Sequence, residues 1–366
     1  MADLPSSMRA VVLTGHGGLD RLEHRDDWPL PEPGPGEVLI KVQACGLNNT
    51  DVNTRTGWYS KGVTDATTGG ALDDASDEDA AWGGAPITFP RIQGADVCGI
   101  VVAAGDGDAG LSGKRVLIDT WLRDWSDPLN LDKCRYFGSE CDGGYADYTK
   151  VDVRNVHPVE SDLSDAELAT FATSYITAEN MLNRADVGGG DVVLIPGASG
   201  GVGSALIQLA KRRGAKTVAL CGASKAEAVA AIGADAVLPR APEDLKGALR
   251  DATGRESVTV VADVVGGDLW PRLIDVLARG GRYTCAGAIA GPIVAFDLRT
   301  FYLHDLTFTG ATIVPPGVFA DLVGYIERGE IKPLLAETFP LAELAKAQEA
   351  FIAKKHVGNI VVTMDQ

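Results

Sequence analysis

Hydrophobic and polar positions change their rhythm twice along this chain. In the first third, short β-like runs (RAVVLTG, GEVLIKVQ, ADVCGIVVAAG, GKRVLIDT) are punctuated by Gly and Pro, which predicts a strand-rich domain. From about residue 160 the order becomes apolar strand, amphipathic helix, apolar strand. DVVLIPG precedes GGVGSALIQLAKRRGA, then come KTVALC, SKAEAVAAIGA, DAVL, APEDLKGALRDATG, VTVVADVV, DLWPRLIDVLARGG and RYTCAG. Continuous hydrophobic strands alternating with amphipathic helices predict a parallel sheet covered on both faces, the doubly wound α/β class. The tail FPLAELAKAQEAFIAKKHVGNIVVTM reads as a helix and a strand that can rejoin the first domain. The expected organisation is a β-rich domain over 1–160, completed by 315–366, and a dinucleotide-binding domain over 161–314.

A length of 366 residues exceeds what one hydrophobic core usually supports, in keeping with two domains. With 45% hydrophobic and 23% charged residues, the chain buries enough apolar surface without disulfide or metal staples. A formal charge of −17 argues against nucleic acid and anionic membrane as partners, because both are bound through clustered Lys and Arg. MADLPSSMRAVVL lacks the basic start and long apolar core of a signal peptide, and no apolar run reaches ~18 residues. A cytoplasmic protein acting on a small molecule is the expectation. The 6 cysteines, Cys45, Cys98, Cys134, Cys141, Cys221 and Cys285, are scattered as reduced thiols would be, and the spacing in CRYFGSEC is wrong for a zinc knuckle.

One segment departs from both rhythms. SKGVTDATTGGALDDASDEDAAWGGA carries Asp65, Asp73, Asp74, Asp77, Glu78 and Asp79 against Lys61 alone. Its composition is that of a solvated, mobile surface loop, ahead of a substrate-covering lid. Its carboxylate spacing does not match a calcium loop.

DVVLIPGASGGVGSALIQLAKRRGAKTVALC is the most informative stretch. A strand ends at Pro196, small residues turn the chain, and a helix begins near Gly201. Ala198, Gly200 and Gly203 occupy the three positions of the G-x-G-x-x-G fingerprint, which serve the tight turn, the approach to pyrophosphate and helix-on-strand packing. The helix N-terminus supplies free N–H groups and partial positive charge for phosphates. The following strand ends VALCGASKAE, without the acid that would accept from an NAD ribose. Ser224 and Lys225 stand there instead, and Arg240 follows the third strand, so a 2′-phosphate and hence NADP(H) is expected.

Taken together, EPGPGEVLIKVQACGLNNTD, IQGADVCGIVVAAG, DGGYADY, TSYITAENML, GASGGVGSALIQLAK, GGRYTCAG and HVGNIVV resemble the medium-chain dehydrogenase/reductase superfamily. The resemblance implies a GroES-like catalytic domain, a Rossmann domain and a homodimer paired through a strand such as LTFTGATI. It carries further cofactor contacts onto Thr177, Ser199, Gly201, Val202, Val265, Gly287 and Asn359. Zinc alcohol dehydrogenases of this superfamily place ligands where this chain has Asn48, Ala95 and Thr173, with Asp96 at an associated glutamate. Asn, Ala and Thr are not zinc's donors, so no metal is expected and the chain looks like the zinc-independent quinone oxidoreductase branch.

Without a Lewis acid, reduction of a quinone or α,β-unsaturated carbonyl is easier than alcohol oxidation. A nicotinamide hydride would reach an electrophilic carbon while positioned donors stabilise the developing oxyanion. The candidates are the Asn48 amide as donor, Thr50 as helper, and Tyr59 as pocket wall or proton donor. Asp51 is expected to order its loop or pair with Arg55, and Cys45 to be a packed small residue. Two alternatives are a zinc-independent alcohol or carbonyl oxidoreductase and a non-catalytic NADPH-binding protein.

Overall fold

The computed structural model describes residues 4–70, 72–83, 86–105 and 110–364. It divides into two compact units, one of residues 1–63, 68–173 and 315–366, the other of 64–67 and 174–314. The crossover between them falls after Thr173, inside the helix Ala172–Arg184, where the expected boundary followed residue 160.

The first unit is built on a seven-stranded sheet ordered Val156–Pro158, Arg115–Ile118, Asp96–Ala104, Glu37–Gly46, Asn359–Thr363 and Leu335–Pro340, with Tyr148–Asp152 also pairing Glu37–Gly46. The long strand Glu37–Gly46 is buried at Val38, Leu39, Ile40, Val42 and Cys45, the pattern of a central strand. Its end is the hub of the site. Gly46 pairs with Asp96 on one side and Val361 on the other, so the start of one neighbour and the C-terminal strand meet there. A Cβ at Gly46 would lie 2.3 Å from the Ala169 carbonyl oxygen, so only glycine fits this crossing. Cys45 is fully buried within this strand, and burial pushes its thiol well above the usual range.

The described part of the acidic segment has no helix or strand and exposes most of its carboxylates, as expected of a surface loop, but it is pinned at several points. Arg55, fully buried, donates to the Gly69 carbonyl at 3.1 Å, to that of Gly17 at 2.7 Å and to Gln348 Oε1 at 2.8 Å. Ser76 N–H donates to Ser60 Oγ, Lys61 N–H to Asp79 Oδ2, and Trp82 Nε1 to Glu140 Oε2. Val63, Ala80 and Ala81 are buried, which supplies the apolar anchor that net charge conceals. Positions 71, 84 and 85 of the segment lie outside the described residues.

The second unit carries a six-stranded parallel sheet ordered Ala236–Pro239, Lys216–Cys221, Val192–Pro196, Val258–Asp263, Leu277–Cys285 and Thr307–Gly310. In sequence order that is 3-2-1-4-5-6, the doubly wound dinucleotide-binding arrangement. Val192–Pro196 is buried at every position, as a central parallel strand must be. The helix Gly201–Arg212 covers it with Ala205, Leu206, Leu209 and Ala210. Leu194, Val218, Leu220, Val261, Leu273 and Tyr283 form the core on one side of the sheet. Each such side chain contributes about 1.5–3 kcal/mol when fully buried. Thr307–Gly310 is an edge strand, the position expected of the LTFTGATI segment.

Candidate functional site

In the second unit the strand order reverses between Val192–Pro196 and Val258–Asp263, and a crevice for ligands lies beyond strand ends at such a switch point. Several residues named from the sequence gather there. The chain leaves Pro196 through Gly197, whose φ of +66° is the turn's only left-handed position up to Gly203. Ala198 is therefore tolerated at the fingerprint's first place, because the left-handed turn falls one residue earlier. Gly203 is the packing glycine: a Cβ there would lie 2.3 Å from the Gly197 carbonyl oxygen and 2.7 Å from Ala198 Cα. Gly200 is the N-cap of Gly201–Arg212 and supplies no side-chain cap, which leaves the first-turn N–H groups of Gly201, Val202 and Gly203 available to an anion.

Val265 and Gly287 close the same region. A Cβ on Gly197 would approach Val265 Cγ2 to 3.0 Å, and one on Gly287 would lie 3.3 Å from the Val264 carbonyl. Asp263, at the end of its strand, accepts from the Val265 N–H at 2.7 Å and from the Tyr283 hydroxyl at 2.9 Å, and so fixes this turn. Lys225 Nζ stands 3.5 Å from Ser199 Oγ, which brings the second strand's end to the fingerprint loop. Burial lowers the Lys225 pKa, and the Arg240 charge lowers it further. Arg240 lies over Gly222, its Nη2 3.4 Å from where a Cβ would be. Two cations converging beside a glycine fit a phosphate monoester. Ser224 is exposed in the turn before helix Ala226–Ile232, and Thr177 is half-buried in Ala172–Arg184.

The first unit holds a separate polar cluster around the end of Glu37–Gly46. Asn48 is the N-cap of the helix Asn49–Thr56, and its backbone N–H donates to Asp51 Oδ2 at 2.8 Å. Asp51 therefore orders its own loop and does not pair with Arg55, whose guanidinium serves the acceptors named above. The Tyr145 hydroxyl donates to the same carboxylate at 2.9 Å. Burial raises the Asp51 pKa to about 7, opposed by these hydrogen bonds and assisted by the Asp96 charge.

Asp96 is more than the bystander its sequence position suggests. It accepts from the Thr173 N–H at 2.9 Å and from the Thr173 hydroxyl through a short bond. Burial pushes it up to about 6, while Thr173 and the neighbouring Asn48 side chain favour its charged form. Tyr136, which sequence reasoning missed, places its hydroxyl 2.6 Å from Thr173 Oγ1. Burial raises this phenol well above its usual range, and the nearby Thr50 hydroxyl pulls the other way. Asn48 Nδ2 and Thr50 Oγ1 are both buried and have no partner among the described residues. Tyr59 lies beside Asn53 and within reach of the Asp51 charge, with its pKa raised to about 12 by burial. Asn359 begins the C-terminal strand next to the cluster, where Leu47 N–H donates to the Ile360 carbonyl at 2.9 Å.

Residues 34–161 match the family described as alcohol dehydrogenase GroES-like domain, and residues 201–328 the family described as zinc-binding dehydrogenase. The chain belongs to the medium-chain dehydrogenase/reductase superfamily. Superfamily relatives that it resembles at 26% identity include human quinone oxidoreductase, over 361 residues and 96% of each chain. An acryloyl-coenzyme A reductase from Metallosphaera sedula aligns at 26% over 374 residues, 97% of this chain and 100% of that one. An NAD-dependent alcohol dehydrogenase from Sulfurisphaera tokodaii aligns at 26% over 369 residues, 97% and 99%. A crystal structure of a provisionally assigned alcohol dehydrogenase from Sinorhizobium meliloti 1021 is 46% identical, covers 100% and 99% of the two chains, and superposes with a TM-score of 0.90.

Membership explains the GroES-like and Rossmann units and makes the chain an oxidoreductase. Among the described residues no three His, Cys, Asp or Glu side chains are grouped to hold a metal ion, and the positions at which the resemblance implies zinc ligands carry Asn48, Ala95 and Thr173. Tyr136 was not found from sequence because CRYFGSEC was weighed for its cysteines. Its hydroxyl reaches Thr173 from 37 positions away, which no local spacing signals.

Proposed function

We propose that this protein is an NADPH-dependent, zinc-independent reductase of quinones or α,β-unsaturated carbonyl compounds, soluble in the cytoplasm as a homodimer. The observation that carries the reading is the group of Asn48, Thr50, Tyr136 and Thr173 around the Asp96 carboxyl, uncharged hydrogen-bonding side chains at and beside the places where zinc relatives carry metal donors. Uncharged donors suit an oxyanion that develops during reaction, because they stabilise charge without a permanent countercharge to desolvate. The quinone oxidoreductase and acryloyl-coenzyme A reductase relatives are consistent with this substrate class.

Bound NADPH would supply hydride to the electrophilic carbon. Gly200 to Gly203 and the helix start would hold the pyrophosphate, and Ser199, Ser224, Lys225 and Arg240 the 2′-phosphate, with Thr177, Val265, Gly287 and Asn359 as further contacts. Asn48 Nδ2, buried without a protein partner, would donate to the substrate oxygen, with Thr50 assisting and Tyr59 as an outer wall. A panel of quinones, enones, acryloyl thioesters and aldehydes, followed by NADPH absorbance, tests the reading. Quinone or enone turnover with NADPH at least tenfold better than NADH is expected. Aldehyde reduction or alcohol oxidation alone would favour a carbonyl oxidoreductase, and cofactor binding without turnover a non-catalytic role.

A further inference from the structure

The Thr173 hydroxyl is bonded on both sides, to Asp96 and to Tyr136. It has a single proton, and with Asp96 ionised that proton goes to Asp96 Oδ1, which the Thr173 N–H also engages. The Tyr136 hydroxyl, 2.6 Å from Thr173 Oγ1, then donates to Thr173; with Asp96 protonated the order reverses, and the Tyr136 proton is left for a further acceptor. The Thr50 hydroxyl lies beside the phenol and the Asn48 side chain beside Asp96, and neither Thr50 Oγ1 nor Asn48 Nδ2 has a complete hydrogen bond among the described residues. Buried polar groups of this kind are nearly always satisfied, so two side chains short of a complete bond along one network mark the position of an oxygen not supplied by the protein.

Tyr136 is also held with unusual care. Its backbone N–H donates to Glu140 Oε2 at 2.7 Å, and the same oxygen accepts from Trp82 Nε1 at 3.1 Å. Trp82 comes from the acidic segment and meets the Trp121 ring edge-on, with centroids 4.9 Å apart, while Trp121 meets Tyr136 at 5.1 Å. A ring fixed by backbone, carboxylate and two indoles keeps its hydroxyl in one place.

We propose that Tyr136, Thr173 and Asp96 form a proton relay in which Tyr136 meets the substrate oxygen, Thr173 passes the proton and Asp96 stores it. The inference rests on the reductase reading for its direction only. When hydride forms the new C–H bond, the cofactor is oxidised, the substrate is reduced and an electron pair moves onto the substrate oxygen. That oxygen takes the Tyr136 proton, Tyr136 takes the Thr173 hydroxyl proton, and Thr173 takes the proton of the Asp96 carboxylic acid. One O–H bond forms at the substrate, one breaks at Asp96, and solvent water reloads the carboxylate after product leaves. In alcohol oxidation the same chain runs backwards, in the sense drawn by the hydrogen bonds to an ionised Asp96. Burial raises the Asp96 pKa to about 6, which leaves a protonated fraction for the reductive direction near neutral pH.

The test uses the full-length holoenzyme with NADPH and the best substrate of the panel. Tyr136→Phe and Thr173→Val are each expected to lower kcat at least tenfold with KM for NADPH within twofold. The double variant should be no slower than the worse single, since the two act as one unit. Thr173→Ser, which keeps the hydroxyl, should restore kcat to within threefold of wild type. Circular dichroism and melting temperature confirm that each variant is folded. Tyr136→Phe within twofold of wild type, additive losses, or Thr173→Ser as slow as Thr173→Val would overturn the relay. A preference for aldehydes over quinones and enones would instead defeat the substrate reading, with the relay then judged by the same ratios on the aldehyde.

Discussion

The carboxylate of Asp51 accepts the backbone N–H of Asn48 at 2.8 Å, so the residue three positions into a helix closes the turn that presents its own cap. This bond and the Tyr145 hydroxyl leave Asp51 buried beside a second buried carboxyl, Asp96. Its pKa, about 7, lies above the usual 3.8. Below the usual value both folded and unfolded chains hold the proton, and the contribution to stability is fully present. As pH rises toward and through 7 the folded state must surrender a proton it holds more tightly, and that contribution is lost. Asp51→Asn cannot ionise, so its melting temperature should gain on wild type between pH 5 and pH 8. Each unit of raised pKa corresponds to about 1.4 kcal/mol. Thermal melts at the two pH values measure this, and a constant gap would mean that the carboxyl is ionised throughout.

Asn48 itself separates local structure from chemistry. Its backbone makes the turn, and its Nδ2 is buried without a partner. Asn48→Ala keeps the backbone bond to Asp51 and removes only the amide. Turnover of the best substrate should fall by about 10- to 100-fold, the range for losing one oxyanion donor up to its lower measured values. Cofactor affinity should stay within twofold. A kcat within twofold of wild type would reduce Asn48 to a turn residue.

At the cofactor site, charge and space give separable effects. Lys225→Ala and Arg240→Ala should each raise KM for NADPH by about tenfold, the equivalent of about 1.4 kcal/mol, and leave NADH kinetics nearly unchanged. Equal effects on both cofactors would remove the phosphate argument. Gly203→Ala drives a Cβ into the Gly197 carbonyl oxygen at 2.3 Å and should unsettle the loop itself, lowering melting temperature and cofactor affinity together. Gly200→Ala meets nothing closer than 3.6 Å and should melt like wild type, yet bind either cofactor at least tenfold more weakly, because the added methyl takes space proposed for the pyrophosphate. Calorimetric titration of both variants distinguishes the two roles.

What could be read from sequence follows from how far each interaction reaches along the chain. The strand end at Pro196 and helix start at Gly201 were legible because apolar period and small-residue turn are local signals. The same local logic misplaced the partner of Asp51. Arg55 lies four residues on, the spacing of a helical ion pair, but an acid at the third helical position is drawn back to the cap, and Arg55 turns to carbonyls from Gly17 and Gly69. The relay was illegible for another reason. Tyr136, Thr173 and Asp96 come from a two-stranded pair, a helix start and the seven-stranded sheet, which only the tertiary fold brings together, and none carries a spacing signature. Composition also hid where the acidic segment is pinned, because Val63, Ala80, Ala81 and Trp82 are few among many polar residues but supply its anchors.

Arg55 is the strongest of those anchors. Its buried guanidinium has three recorded acceptors, none of them a carboxylate: two backbone carbonyls and the Gln348 amide oxygen. Burial lowers its pKa to about 10, so it remains charged at neutral pH. Arg55→Met fills much of the volume with no donor and leaves the three acceptors without this partner. The expected loss of stability is on the order of 3 kcal/mol, from acceptors left without their bonds. Arg55→Lys should recover only part of it, because an ammonium cannot span acceptors set around a planar fork. The loss should be local as well as global, since the Gly69 carbonyl ties the acidic segment to this side chain. Limited proteolysis of the Arg55→Met protein, compared with wild type well below its melting temperature, should cut faster between residues 60 and 83, whereas equal cleavage there would show that the segment is held by Trp82 and Ser60 without Arg55.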